Sequence, residues 1–291
     1  MQQQAAPGSS SGFEPPFTVR PKALILPPRL FDSPTGDIIP SLVVHAGGGL
    51  SFGFSDDERN ERWVVSLGLG GVGEAVVSSS RIVHIIDPES EALIGFRIRV
   101  PVAWASRELE ERLNVAFNVA ATDDNQFSTN RPFTSEDGIP VDQLTYEHRE
   151  TTAGLAATLA LRRTRLHAVV HATDMRIDGV RFSSPSGEFA TGLPNKLVHT
   201  SFGLGMDFAA NPKTFFLTEV RSSPLITFGA STGKVDVESL LEFTMGLRFF
   251  PDPVVALDAN VGIDDEAVGL ADLEIGFGLH LVLQPSLRER M

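Results

Sequence analysis

The sequence contains no cysteine among its 291 residues, and this absence excludes several classes of protein at once. Without cysteine there is no disulfide framework, no thiolate nucleophile and no Cys-ligated zinc or iron–sulfur cluster. No run of about 18 apolar residues occurs either, so the sequence predicts no transmembrane helix. Apolar residues nevertheless make up 42% of the chain, which is enough to build an ordered structure.

Basic residues are also scarce. Lys and Arg number 24 against 37 Asp and Glu, which gives a formal net charge of −13. A protein that neutralises phosphates needs a basic surface, so we expect no nucleic acid among its partners.

The first 40 residues differ in composition from the rest, being rich in Gln, Ser, Gly and Pro. No secretory signal follows Met1, so the chain is either cytoplasmic or a mature form whose signal was removed. Proline cannot donate to a strand ladder or continue a helix. We therefore predict that residues 1–40 are an N-terminal extension or plug segment, residues 41–283 the folded domain, and residues 284–291 a short tail.

From Ser41 onward the apolar residues alternate with other residues, which is the period-2 signature of strands with two different faces. The pattern predicts an all-β chain of about twelve strands, many of which run to about 10–14 residues, against about 5–6 for a usual strand. About 9–11 tilted residues cross a bilayer, so these lengths favour a membrane-spanning barrel. The predicted strands are 41–54, 62–73, 75–86, 91–102, 111–121, 150–162, 165–177, 196–209, 214–228, 236–250, 253–263 and 270–283.

The two faces of these strands differ in chemistry. In 113–121, for example, Leu113, Val115, Phe117 and Val119 alternate with Asn and Ala residues. One face is almost wholly aliphatic or Phe, and the other mixes Gly, Ser and Asn with charges of both signs. This pattern suits an apolar outside around a wet interior, whereas a soluble β-sandwich, the alternative, would carry a dense charged outer face.

Connection lengths provide a second test. The connections 122–149 and 178–195 are long and polar, whereas 162–165, 210–213 and 250–253 are tight joints. Alternate counting from the C-terminus puts both long loops on one side and the tight joints on the other. Outer-membrane barrels have this asymmetry, with short turns on the periplasmic side.

Several segments resemble a family of bacterial outer-membrane β-barrel proteins of about 250–300 residues, most of which lack an assigned function. The similar segments are Ala46–Gly53, Leu67–Glu74, Gly95–Pro101, Leu217–Val220 and Val261–Asp265. The resemblance implies a single antiparallel up-and-down transmembrane barrel in the outer membrane of a Gram-negative cell, with its signal peptide removed. Tyr146 is the only tyrosine and Trp63 and Trp104 are the only tryptophans, so aromatic girdles would be built largely from the 20 Phe residues.

The charged residues on the polar face are the candidates for the barrel lumen. Both signs occur, so arginines and carboxylates can pair across the interior. The predicted lumen-lining residues are Arg97, Arg99, His167, His171, Glu219, Glu242, Arg248, Asp258 and Glu274.

Histidines also fall on this face, among them His45, His199 and His280. His167 and His171 are about 13 Å apart along one strand, too far to share one metal ion, and we predict no metal site and no cofactor. The predicted all-β chain offers no strand-to-helix turn that would form a nucleophile elbow, so we predict no enzymatic activity.

A barrel of about twelve strands lies between filled eight-stranded barrels and open 16–18-stranded porins. We therefore predict a narrow or plugged passive channel for small solutes or ions, or a structural envelope protein, in contact with outer-membrane lipids and lipopolysaccharide. A soluble or secreted β-sandwich that binds a ligand and a barrel enzyme acting on lipids are the alternatives.

Overall fold

The computed structural model describes residues 26–53, 59–80, 83–84, 92–102, 109, 111–122, 125–129, 132–191, 195–265 and 273–284. Among them no helix is long and apolar enough to span a membrane. Their regular structure is built from strands, which in chain order are β1 (Val44–Gly53), β2 (Arg59–Leu69), β3 (Gly73–Ser79), β4 (Val83–His84), β5 (Ala92–Arg99), β6 (Leu113–Ala121), β7 (Asn125–Ser128), β8 (Phe133–Thr134), β9 (Pro140–Val141), β10 (Gln143–Ala160), β11 (Thr164–Ser184), β12 (Gly187–Ala190), β13 (Asn195–Asn211), β14 (Thr214–Gly229), β15 (Lys234–Asp252), β16 (Val255–Asp264) and β17 (Glu274–Leu283).

Twelve of these strands form one closed antiparallel barrel. Going round the wall the order is β1, β2, β3, β5, β6, β10, β11, β13, β14, β15, β16 and β17. The ring closes where β17 pairs with β1, with Val44 opposite Leu283 and Gly53 opposite Glu274. The prediction of an up-and-down barrel of about twelve strands is confirmed, and the β-sandwich alternative is wrong because the wall has no second sheet.

Each predicted strand corresponds to one strand of the wall. The joint between the second and third strands lies at residues 70–72, where Gly70 and Gly71 adopt positive φ angles of 65° and 71°. Glycine has no Cβ and reaches this conformation without steric cost. The turn therefore comes slightly earlier than predicted, and Glu74 belongs to β3.

The outer face of the wall is apolar and exposed. On β5, Ile94, Phe96 and Ile98 are exposed, whereas Leu93, Gly95 and Arg97 between them are buried. The same alternation runs round the barrel, with Leu247 and Phe249 outside and Arg248 inside on β15. A continuous apolar band of this kind faces lipid in a membrane barrel.

The two ends of the barrel are unlike. The turns 70–72, 161–163, 212–213 and 253–254 are tight and lie at one end, called here the short-turn end, where the 100–112 connection is the longer exception. At the other end, called the long-loop end, β10, β11, β13, β14 and β15 reach 18, 21, 17, 16 and 19 residues. These five neighbouring strands project beyond the shorter ones.

A cluster of buried apolar residues, called here the cap cluster, lies between the projecting strands. It consists of Phe127, Val141, Leu144, Tyr146, Met175, Ile177, Val180, Phe182, Ile226, Phe228, Ala230 and Val235. Ile226 and Phe228 continue the row of β14 that faces outward at Phe216, yet here they pack against the inward row of β10 and β11. The end of the β14–β15 hairpin therefore lies on the inner side of the β10–β11 hairpin and narrows the long-loop mouth.

This overlap begins where β13 and β14 separate. Their last pair is Gly203 with Arg221, and β14 then continues past Pro224 to pair in parallel with β4. Proline has no N–H to donate, so it suits a position where a ladder ends. Because β3, which precedes β4 in the chain, lies six strands from β14 round the wall, the pairing of β4 with β14 lies across the long-loop mouth.

A closed barrel predicts a heat-dependent change in electrophoretic mobility. Because no strand edge of the ring is open, SDS at room temperature does not unfold such a wall, whereas boiling does. We expect the unboiled protein from the envelope fraction to migrate apart from the boiled protein on SDS gels. A single band at both temperatures would contradict a closed barrel.

The cap offers a pH prediction outside the membrane-spanning part. Asp137 accepts hydrogen bonds from the Ser135 hydroxyl at 2.5 Å and the backbone N–H groups of Ala230 and Ser231 at 3.1 and 2.6 Å. These bonds, that of Ser135 foremost, lower the pKa of Asp137. A lowered folded-state pKa stabilises the fold above about pH 4 and loses this effect as pH falls further.

We therefore expect protease cleavage at the 230–233 turn to stay constant from pH 8 to about pH 5 and to rise below about pH 4. Asp137→Asn should raise cleavage already at pH 7. Glu136→Gln, at an exposed neighbour, is the control and should leave cleavage unchanged; equal effects of the two variants would refute the role of Asp137.

Candidate functional site

The lumen contains a segment of the chain itself, residues 26–41, called here the inner hairpin. Its two arms meet at the bridge between Arg29 and Pro34, and the Leu30 N–H donates to the Ser33 carbonyl at 3.0 Å. At its C-terminal side the Leu42 N–H donates to Gly68, two residues from the 70–72 turn. The C-terminal arm of the hairpin thus lies at the short-turn end.

An apolar cluster packs against the N-terminal arm of the inner hairpin. Leu30, which is 1% exposed, packs with the inward residues Phe215, Leu217, Phe250 and Ala256. Three of these, Phe215, Phe250 and Ala256, lie within three residues of the 212–213 or 253–254 turn, and Leu26 packs against the same cluster. The N-terminal arm of the hairpin therefore also lies at the short-turn end.

Arg97 is the centre of the first of four charged groups on the wall. It pairs with Glu74, donates to the Asn118 amide oxygen at 2.8 Å and bonds the Thr35 carbonyl of the hairpin. Glu74 in turn accepts the Ile39 N–H at 3.1 Å. This ion pair is nearly inaccessible to solvent and joins β3 and β5 to the hairpin.

Arg165 and Asp207 form the second group. Arg165 donates to Asp207 at 2.7 Å and to Asp37 of the hairpin at 2.5 Å. His167 lies 3.0 Å from the same Asp207 oxygen and 2.9 Å from the Thr158 hydroxyl, which accepts the Gly36 N–H at 2.8 Å.

Arg248 and Asp258 form the third group through two hydrogen bonds of 2.8 and 2.7 Å. Arg248 also donates to the Leu30 and Arg29 carbonyls at 2.8 and 3.1 Å. His280 lies 3.0 Å from Asp258 and stacks on His45 with ring centroids 5.3 Å apart.

The fourth group surrounds Asp32 at the inner end of the hairpin. Its carboxylate lies 2.5 Å from Arg62 and 3.5 Å from Arg221. Both arginines also bond Glu242, at 3.2 and 2.6 Å. Next to this group Glu219, which is almost fully buried, accepts the N–H groups of three consecutive hairpin residues.

Two cavities flank the inner hairpin. One, of about 100 Å³, lies between Pro28 and Pro34 and the wall from β2 to β14, and its lining includes Ser66, Glu150, His171 and Ser201. The other, of about 70 Å³, lies on the opposite side and is lined by glycines of β1, β16 and β17 together with Arg62, Glu242 and Glu274. The hairpin thus occupies the space between two small voids.

The structure places seven of the nine predicted lumen residues inside the barrel and buried or largely so: Arg97, His167, His171, Glu219, Glu242, Arg248 and Asp258. Glu274 is half-buried and lines the smaller cavity. Arg99 keeps the inward register but ends β5, so it is exposed at the short-turn end, where it donates to Asn114 at 2.7 Å.

Sequence reasoning missed Glu74, Arg165, Arg221 and Arg62. Arg165 and Arg221 share the register of two residues predicted to line the lumen, His167 and Glu219, and Arg62 shares the inward register of Val64 and Ser66 on β2. Each of the three arginines lies at a predicted joint, at the start of a predicted strand or two residues from a predicted lumen carboxylate, and none was included among the predicted lumen residues. Glu74 was placed in a turn, because the joint was predicted a few residues too late.

The order Thr158, His167, Asp207 resembles the hydroxyl–imidazole–carboxylate order of hydrolases. Thr158 is fully buried, however, its oxygen accepts a hairpin N–H, and Arg165 binds the Asp207 carboxylate. The three residues hold the hairpin, and no substrate reaches the hydroxyl in this arrangement. The described residues also contain no group of three His, Asp or Glu able to hold a metal ion.

No family model matches the sequence, and no curated protein matches it. Among solved structures, the translocator domain of autotransporter NalP from Neisseria meningitidis is 8% identical, with 82% of this chain and 86% of that one covered and a TM-score of 0.47. The NanC porin is 11% identical, with 83% and 100% covered and a TM-score of 0.45. The outer-membrane expressed OmpT of Vibrio cholerae is 7% identical, with 85% and 100% covered and a TM-score of 0.44. At such values the function has to be argued from the lumen itself.

The structure predicts that breaking a buried ion pair of the lumen lowers the unfolding free energy more than breaking an exposed ion pair does. Asp258→Ala leaves Arg248 buried without its carboxylate, and we expect a loss of about 3–5 kcal/mol in unfolding free energy. Asp174→Ala breaks the exposed pair with Lys196, whose atoms are 3.2 Å apart, and should cost less than about 1 kcal/mol. Urea unfolding in detergent measures both, and equal losses would contradict the assigned role of the lumen pair.

Proposed function

We propose that this protein is a bacterial outer-membrane barrel whose lumen is closed by its own inner hairpin, and that it acts as a narrow passive channel when the hairpin withdraws. The periplasmic end is the short-turn end, and small solutes or ions pass. The apolar outer band contacts the lipid tails, and lipopolysaccharide surrounds the long-loop end.

The observation that carries this proposal is that the inner hairpin enters and leaves the lumen at the same end. Leu26 and Leu42 both lie near the short turns, whereas Asp32 reaches Arg62 and Arg221 deeper inside. A hairpin in this arrangement withdraws as a loop, and no chain end has to be threaded through the wall.

The charge arrangement supports a reversible movement. Arg97, Arg165, Arg248 and Arg221 each keep a wall carboxylate, namely Glu74, Asp207, Asp258 and Glu242. When the hairpin leaves, none of these four arginines loses its last counter-charge, so for them withdrawal avoids the high cost of an unpaired buried charge. The remaining lining of paired charges sets a transverse field for ions.

A static structural role in the envelope is the second candidate. The burial of Leu30 and the ion pairs of Asp32 and Asp37 favour a hairpin that stays in place. The two candidates differ in one measurable property, since only the channel conducts when the hairpin is weakened.

The test is the full-length double variant Leu30→Glu with Asp32→Arg, recorded in planar bilayers. The first change places a carboxylate in an apolar cluster, and the second places a cation beside two arginines. Each costs more than about 1.4 kcal/mol, so we expect the open fraction to rise at least about tenfold over the unmodified protein.

The control is Thr232→Glu with Asp236→Arg, which makes the same net charge change at exposed positions of the β14–β15 turn region. This variant should conduct like the unmodified protein. If the hairpin variant remains as silent as the control while its barrel still shows the heat-dependent mobility shift, the channel is refuted and the structural role stands.

A further inference from the structure

The wall of the lumen binds the inner hairpin largely through its backbone. Glu219 accepts the N–H groups of Phe31, Asp32 and Ser33 at 3.1, 3.1 and 2.8 Å. Three consecutive peptide N–H groups thus converge on one carboxylate.

The same wall also binds backbone carbonyls. Arg248 donates to the Arg29 and Leu30 carbonyls, and Arg97 to those of Thr35 and Pro28. Charged side chains of the wall therefore bind both the N–H groups and the C=O groups of the hairpin backbone.

Two further side chains complete this set. Glu74 accepts the Ile39 N–H at 3.1 Å, and the Thr158 hydroxyl accepts the Gly36 N–H at 2.8 Å. Hydrogen bonds to charged groups are stronger than neutral ones, and buried groups gain most from them. Every peptide offers such N–H and C=O groups, whatever its sequence.

Resting on the proposed function, we propose that the lumen is a binding site for short peptides that are supplied in trans, adopt a hairpin conformation and take the place of the inner hairpin. Their backbone is read by Glu219, Arg248, Arg97, Glu74 and Thr158. Two positions add a side-chain preference.

An apolar side chain fits the cluster around Phe215 and Phe250 that now holds Leu30. A carboxylate two residues later fits between Arg62 and Arg221, where Asp32 lies. The preferred ligand class is therefore a peptide with an apolar residue at one position and an acidic residue two positions on.

The experiment uses the full-length Leu30→Glu, Asp32→Arg variant and a synthetic peptide with the sequence of residues 26–41. A matched peptide is N-methylated at the positions of Phe31 and Ser33, which removes two donors to Glu219 and leaves every side chain unchanged. A third peptide carries Asn at the position of Asp32. Fluorescently labelled forms are titrated onto the detergent-solubilised variant, and unlabelled forms are tested as blockers of its conductance.

We expect the native-sequence peptide to bind and to block, and the N-methylated peptide to need at least about tenfold higher concentration for both, the equivalent of about 1.4 kcal/mol. The Asn peptide should lose less affinity than the N-methylated one. Because only the peptide differs between these measurements, the protein has the same fold in all of them.

No binding by either peptide would overturn peptide recognition, and equal binding of the native and N-methylated peptides would overturn recognition through the backbone. A larger loss for the Asn peptide would overturn its backbone basis. The binding titration does not depend on conduction, so a variant that binds peptide but never conducts refutes the channel alone. One that conducts but binds no peptide refutes this inference alone.

Discussion

A strand that crosses hydrocarbon must pair every backbone N–H and C=O within the protein, and the whole architecture depends on this constraint. The ring of twelve strands meets it by closing β17 on β1. The constraint also explains the inverted chemistry of the wall, since the outer rows contact lipid and the polar residues have only the interior left to occupy. The charged residues of the interior then bind the segment that fills it.

The inner hairpin meets the same requirement in another way. Wall strands satisfy their backbone by pairing with one another, but among the described residues the hairpin pairs with no strand and has only its own bridge at Arg29 and Pro34. Its peptide groups are satisfied by Glu219, Arg248 and Arg97. Buried ion pairs such as Arg97 with Glu74 contribute little to stability relative to apolar packing, but they supply charged partners to an irregular segment. The polar lumen is therefore matched to the irregular backbone that it surrounds.

Local pattern was enough to predict the wall. Alternation of apolar residues needs only neighbours two positions apart, so the strand number followed from it, and the Gly70–Gly71 turn was missed by only a few residues. Pairings such as Asp32 with Arg62 and Arg221 depend on ring closure, which one sequence does not display. Arg99 has the inward register but lies where β5 ends, and register alone does not show where a strand stops. The cap cluster escaped prediction because Ile226 and Phe228 keep the alternation of a lipid-facing row while packing against protein.

The position of the inner hairpin before β1 has a consequence for assembly. Residues 26–41 contact strands from every side of the wall, including β3, β11, β14 and β15. The ring is completed when β17, the last of the described strands, meets β1. Because both arms of the hairpin lie at the short-turn end, the loop can enter the closed ring from that end, and closure of the seam does not have to wait for it. Closure of the wall and filling of the lumen are therefore separable steps in the assembly of this protein.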